Sequence, residues 1–165
     1  MIKKSILAVS ILLVILRLSA QDMKNFKLYR PGENAEVELG KVVSMARSNN
    51  QHVFVQIGGN WCVWCARFNE FVTSDTQIDS IVKRNYQVYH FNYPDTINSK
   101  LLAQLGFPQR FGFPAFVILD GNGERLHTQN SAYLEMGKGY NKEKVIEFLN
   151  HWSPAALEPD QYKKY

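Results

Sequence analysis

The chain holds two cysteines, Cys62 and Cys65, with two residues between them, where a compact apolar run breaks into a helical pattern. The run, residues 53–57, has the length of a buried strand; Gly58-Gly59-Asn60 ends it, and Cys65, Phe68 and Val72 then recur at helical spacing. Such a strand must lie inside a sheet and the helix must pack across it, which puts the cysteine pair at the seam. Neighbouring periodicities agree. Leu39, Val42, Val43 and Ala46 predict an amphipathic helix ending near Asn49-Asn50, and Ser74 or Asp75 offers a cap for another carrying Ile78, Ile81 and Val82. Residues 86–92 alternate as a strand and residues 99–105 make a short helix. Further on, residues 115–119 are β-type, Asp120-Gly121-Asn122-Gly123 is a hairpin turn, and residues 124–128 return antiparallel. After an irregular stretch, Asn141 caps a last helix bearing Val145, Phe148, Leu149 and Trp152. Strands that first alternate with helices and then close in a hairpin predict an α/β fold, a central mixed β-sheet flanked by helices on both faces.

The ends read differently. Lys3 and Lys4 precede an apolar run at residues 6–16, and small residues close the stretch before Gln21, the order of a signal peptide over residues 1–20. The run is short for a membrane span, which needs about 20 apolar residues; an uncleaved anchor is the alternative. Residues 21–34 form an N-terminal extension, 35–152 the folded domain, and 153–165 a polar, Pro-containing tail expected to be loosely held. The formal charge of +4 owes three positive charges to Lys3, Lys4 and Arg17. Without them the chain is nearly neutral and shows no basic stripe, so nucleic acid is not an expected partner.

A single cysteine pair in an exported chain is a poor staple, because the loop it closes is too small to remove much unfolded-state entropy. A structural zinc site would want a second pair, and His52, His90, His127 and His151 are scattered. Redox chemistry is therefore the expected use, with no metal and no cofactor. Cys62 lies where free N–H groups and the helix dipole stabilise a thiolate, which makes it the nucleophile; Cys65, one turn on, is the resolving thiol. Trp61, just before the nucleophile, is expected to shield it, and Trp64 between the cysteines to face outwards.

The residues "VFVQIGGNWCVWC", the helix after them, and "GFPAFVIL" about fifty residues on resemble the thioredoxin superfamily across residues 35–152. Within it, "WCVWCARFNEFVTSDTQI" is similar to the C-terminal domain of DsbD-type transmembrane thiol reductases and related envelope thioredoxins. The resemblance implies a thioredoxin fold, thiol:disulfide exchange with protein thiols or disulfides, and a membrane thiol reductase as a possible electron donor. It also implies that Pro114 is a cis-proline facing the cysteines, with the Phe113 backbone free to pair with substrate. The chain departs from the family where a buried acid precedes the nucleophile by six residues: here that position is Gln56, and the lysine beside it is replaced by His90. The loop "GFPQRFGFP" is longer than its counterpart and brings Phe107, Arg110 and Phe111 toward Pro114.

These readings predict an exported, periplasmic thiol:disulfide oxidoreductase, nearer to a reductase or isomerase than to a strong oxidant because no cation lies between the cysteines. A thioredoxin-fold binding module or chaperone using Trp61, Trp64, Phe111 and Phe113 as an apolar surface is the alternative.

Overall fold

A computed structural model describes residues 25–94 and 98–163; the signal peptide expected at residues 1–20 lies outside them. The helices are α1 (Ala35–Ser48), α2 (Val63–Ser74), α3 (Thr76–Asn85), α4 (Ser99–Gln104) and α5 (Lys142–His151). The strands are β1 (His52–Gly58), β2 (Tyr86–Asn92), β3 (Ala115–Leu119), β4 (Arg125–Asn130), β5 (Glu135–Met136) and β6 (Gly139–Tyr140). Strands β2-β1-β3-β4 form one sheet in that order, with β1 parallel to β2 and antiparallel to β3, and β3 antiparallel to β4. This is a thioredoxin-type fold, a mixed sheet with helices on both faces.

Strand β1 is buried along its whole length because it is central and both its faces are covered. Its side chains alternate. Val53, Val55 and Ile57 point to one face, where Leu39 and Ala46 of α1 and Leu101 and Leu102 of α4 close the core with Val117 and Leu119. Phe54 points to the other, among Phe68, Ile78, Phe116, Val145, Phe148 and Leu149 from α2, α3, β3 and α5. An apolar run without polar alternation is what a strand buried on two sides requires.

Polar residues set the helix starts. Asn34 accepts from the Val37 amide, and Asn141 from that of Lys144. Asp75, rather than Ser74, caps α3 by accepting from the Gln77 and Ile78 amides. Lys142 sits 2.6 Å from the same carboxylate and holds it below the usual carboxylate range, which ties α3 to α5.

Two segments differ from the sequence reading. The stretch taken as irregular contains the β5–β6 hairpin, made by Gly137 at φ 60, a conformation that two-residue periodicity does not reveal. The tail is not loose where it leaves the domain: the buried Ser153 donates to Asn150 O and accepts from the Ala156 amide, and short 3-10 turns follow at Ala155–Leu157 and Pro159–Tyr162. Among the described residues no helix is long and apolar enough to cross a membrane.

Candidate active site

The chain leaves β1 at Gly58, turns through Gly59 and Asn60, and brings the Cys62 amide to Gly59 O at 2.9 Å. Cys62 is extended (φ −89°, ψ 103°) and caps α2, its Sγ accepting the Cys65 amide at 3.1 Å. It is therefore one residue outside the helix rather than in its first turn. Cys62 and Cys65 form a disulfide, with S–S 2.05 Å. In this state Cys62 is 4% exposed and Cys65 is sealed, so the pair is nearly closed to solvent. A capping position is where unpaired N–H groups converge, and the first turn of α2 carries no acid to oppose a negative sulfur.

Beneath the pair lies a polar floor. Gln56 on β1 is 2% exposed and stands opposite His90 on β2 in the parallel ladder. Its Nε2 donates to the Tyr29 hydroxyl at 2.8 Å and to Cys65 O at 3.4 Å. Tyr29 comes from the N-terminal extension, packs against Cys62 and Cys65, and meets the His90 ring edge-on at 5.7 Å. Burial pushes the Tyr29 phenol above its ordinary range and pushes the His90 imidazole down to about 4. Gly58 makes this convergence possible. A Cβ there would come closer than 3.0 Å to both the Cys65 Sγ and the Tyr29 hydroxyl.

The turn is stapled on two sides. Asn60 Nδ2 donates to Tyr29 O and Asn60 Oδ1 accepts from the Tyr29 amide, both at 2.9 Å, so one side chain clamps the extension as a strand neighbour would. On the other side Trp61 Nε1 donates to Tyr93 O at 2.8 Å, and the Tyr93 amide donates to Gly58 O at 2.6 Å. The Trp61 ring remains 54% exposed and stands edge-on to Phe113, which stacks at a tilt on Tyr93. The Phe113–Pro114 peptide bond is cis, and Pro114 is buried. Ladder pairing with β1 starts one residue later, where Ala115 meets Ile57.

Phe113 and Trp64 thus pack on the cluster of Tyr29 and the two cysteines, Trp61 stands on Phe113, and Gln56 reaches Cys65 O with His90 opposite it on β2; Pro114 follows Phe113 just before β3. Two aromatic expectations change. Trp64 is half-buried, edge-on to Tyr140 and covered by Arg67, because the second residue after an N-cap turns toward the β6 strand that packs on α2. Phe111 lies under the Arg110 guanidinium at 4.2 Å, and among the described residues no ring contact joins it to Trp61, Trp64 or Phe113. The residues missed in the sequence are Tyr29, Asn60 and Tyr93. Asn60 was legible only as a turn former, and nothing local marks Tyr29, which lies some thirty residues before the cysteines.

Comparison with known proteins follows from this geometry. A family model described as a thioredoxin-like domain matches residues 39–135, and no curated protein matches the chain. Among solved structures, a disulphide isomerase from Xylella fastidiosa Temecula1 superposes with a TM-score of 0.62 at 16% identity, covering 74% of this chain and 94% of that one. A thioredoxin from Thermus thermophilus gives 0.50 at 18% identity, covering 68% and 81%. The oxidised DsbD C-terminal domain of Neisseria meningitidis gives 0.47 at 14%, covering 73% and 96%. At these identities the likeness is one of fold.

Proposed function

Because the chain belongs to the thioredoxin-like domain family, we propose that it is an exported thiol:disulfide oxidoreductase acting on protein substrates through Cys62 and Cys65. The observation that carries this reading is the Cys62 sulfur at the N-cap of α2, accepting the Cys65 amide while bonded to its sulfur. In the reducing direction the Cys62 thiolate attacks one sulfur of a substrate disulfide; that bond breaks and the other substrate sulfur leaves as a thiol. The Cys65 thiolate then attacks Cys62 Sγ, the intramolecular disulfide forms, and the second substrate sulfur departs and takes up a proton. Two electrons pass from the protein dithiol to the substrate. An external dithiol, a membrane thiol reductase in this reading, returns them.

Phe113, ahead of the β3 ladder at the cis-proline, pairs its backbone with an extended substrate segment, and Trp61 covers the apolar side chains beside it. Val63 and Trp64 place no cation between the cysteines, which favours a potential nearer about −270 mV than the roughly −120 mV of strong oxidants, hence reductase or isomerase work. Export rests on the order of charged, apolar and small residues at 1–20. One experiment addresses both points. Protein recovered after secretion should begin at or near Gln21 and accelerate insulin reduction by dithiothreitol, and Cys62→Ser should abolish the acceleration. An active Cys62→Ser protein would overturn the mechanism, and a retained Met1 would overturn cleavage.

A further inference from the structure

Among the described residues no hydrogen bond or ion pair brings a carboxylate to Cys65, yet this buried resolving thiol must lose a proton. Gln56 cannot ionise. The His90 imidazole lies beyond the Tyr29 ring, edge-on to it, and Tyr140, the other ionisable ring nearby, spends its hydroxyl on Trp64 O. What does face Cys65 is the Tyr29 hydroxyl. Tyr29 is 3% exposed, and its oxygen accepts from Gln56. Among the described residues the bond from Gln56 is the hydroxyl's one hydrogen bond, and in it the phenol accepts, so its own hydrogen is not used. A phenol carries one donor, and an O–H buried without an acceptor is costly. A group able to use it is Cys65 Sγ, since both atoms converge on the space over Gly58.

We infer that Tyr29, supplied by the N-terminal extension outside the family match, donates its O–H to the Cys65 thiolate and so promotes the resolving step. The inference rests on the reading of Cys65 as the resolving thiol. In the disulfide no hydrogen bond joins the two groups. Once the bond is reduced, Cys65 releases its thiol proton to water and its sulfur accepts the phenol hydrogen. The thiolate attacks Cys62 Sγ, the bond from Cys62 to the substrate sulfur breaks, and that sulfur is protonated by solvent. Tyr29 keeps its proton throughout, as its burial requires. A neutral donor here replaces an acid: it stabilises the anion without adding a like charge to the site. Gln56 serves as the positioning residue, holding the phenol oxygen so that its hydrogen points at sulfur.

The test is the titration of the lone Cys65 thiol in Cys62→Ser protein, followed by thiolate absorbance, with and without Tyr29→Phe. The expected result is a Cys65 pKa higher by about one unit or more in the Tyr29→Phe protein. With both cysteines present, the mixed disulfide of Tyr29→Phe should persist roughly tenfold longer near neutral pH and recover as pH rises. Alkylation of Cys62 in Cys65→Ser protein should not change. Should Tyr29→Phe fold poorly, 3-fluorotyrosine at position 29, a more acidic donor of nearly the same shape, should move the Cys65 titration down. An unchanged Cys65 titration in either variant overturns the inference. A wild-type protein that reduces no protein disulfide would instead count against the proposed function, and the titration would still decide the role of Tyr29.

Discussion

The polar residues around the disulfide act by what they do not carry. Gln56, buried, and His90, half-buried, occupy a ladder pair in which an acid and a cation would each need the other; two neutral groups avoid that mutual dependence. His90 keeps its neutrality through burial, with its imidazole pushed down to about 4 from an ordinary 6.5. The sign of the consequence is set by which state binds the proton. As pH falls below 6.5 the unfolded chain takes up a proton at His90 that the folded chain refuses until about 4. Stability is therefore complete above pH 6.5, declines across the interval to about 4, and levels below it as far as this residue is concerned. His90→Gln should flatten that decline by on the order of 2 kcal/mol, allowing for a ring that is only half-buried. Urea titrations at pH 7, 5.5 and 4 check this. Equal slopes in the two proteins would mean that His90 is protonated in the fold.

At the scale of elements, the site is a turn held between the helix that follows it and two segments that are remote in sequence. Helix α2 supplies N–H groups to Cys62, β2 supplies Tyr93 O to Trp61, and the N-terminal extension is fastened by Asn60. Among the described residues the extension before α1 has no ladder of its own, so the two Asn60 bonds fix the Tyr29 backbone, while Gln56 and the cysteines hold its ring. Asn60→Ala leaves a backbone amide and carbonyl without partners, and should cost about 1–3 kcal/mol. It should also free the extension. Amide exchange at Tyr29 should accelerate toward that of an open strand while amides of β1 and β3 stay protected. Protection at Tyr29 as slow as in the wild type would show that ring packing against the cysteines holds the segment without Asn60.

Across the whole molecule, the disulfide lies where β1 ends and α2 begins, apart from the two apolar cores on the faces of the sheet. Trp61 is half in solvent on Phe113, whereas Trp64 on the same turn is half-buried between the cysteine cluster and the second core, edge-on to Tyr140. The two tryptophans should therefore fail in different ways when truncated. Trp61→Ala should reduce turnover of a protein substrate severalfold, leave reduction of a small disulfide nearly unchanged, and alter stability by about 1 kcal/mol or less, since an exposed ring loses little on removal. Trp64→Ala should lower stability by roughly 2–3 kcal/mol, part of the cost of a fully buried ring, with a fall in Tm of several degrees. Insulin and small-disulfide assays beside thermal melts separate the two. A Trp61→Ala protein that treats both substrates alike would remove the ring from recognition.

The order of strands and helices, the turn at residues 58–60, the hairpin at residues 120–123 and the cysteine pair were legible in the chain because each is written in neighbouring residues: a period, a cap, a glycine, a spacing. The strand buried on both faces announced itself by lacking alternation, and the pair at its end by lacking any other cysteine to join. Nothing local could show which side Trp64 would turn to, because a ring at the start of a helix is equally at home outside or against a neighbour, and the choice fell to Tyr140 some seventy-six residues away. The same holds for the floor of the site. Gln56 and His90 could be matched once two strands were paired in register, but Tyr29 reaches Cys65 only because the extension folds back over Gly58 and Asn60 catches it. Local propensity decides what a segment becomes, and burial among distant segments decides what it touches. The chemistry of the second sulfur belongs to that second kind of decision.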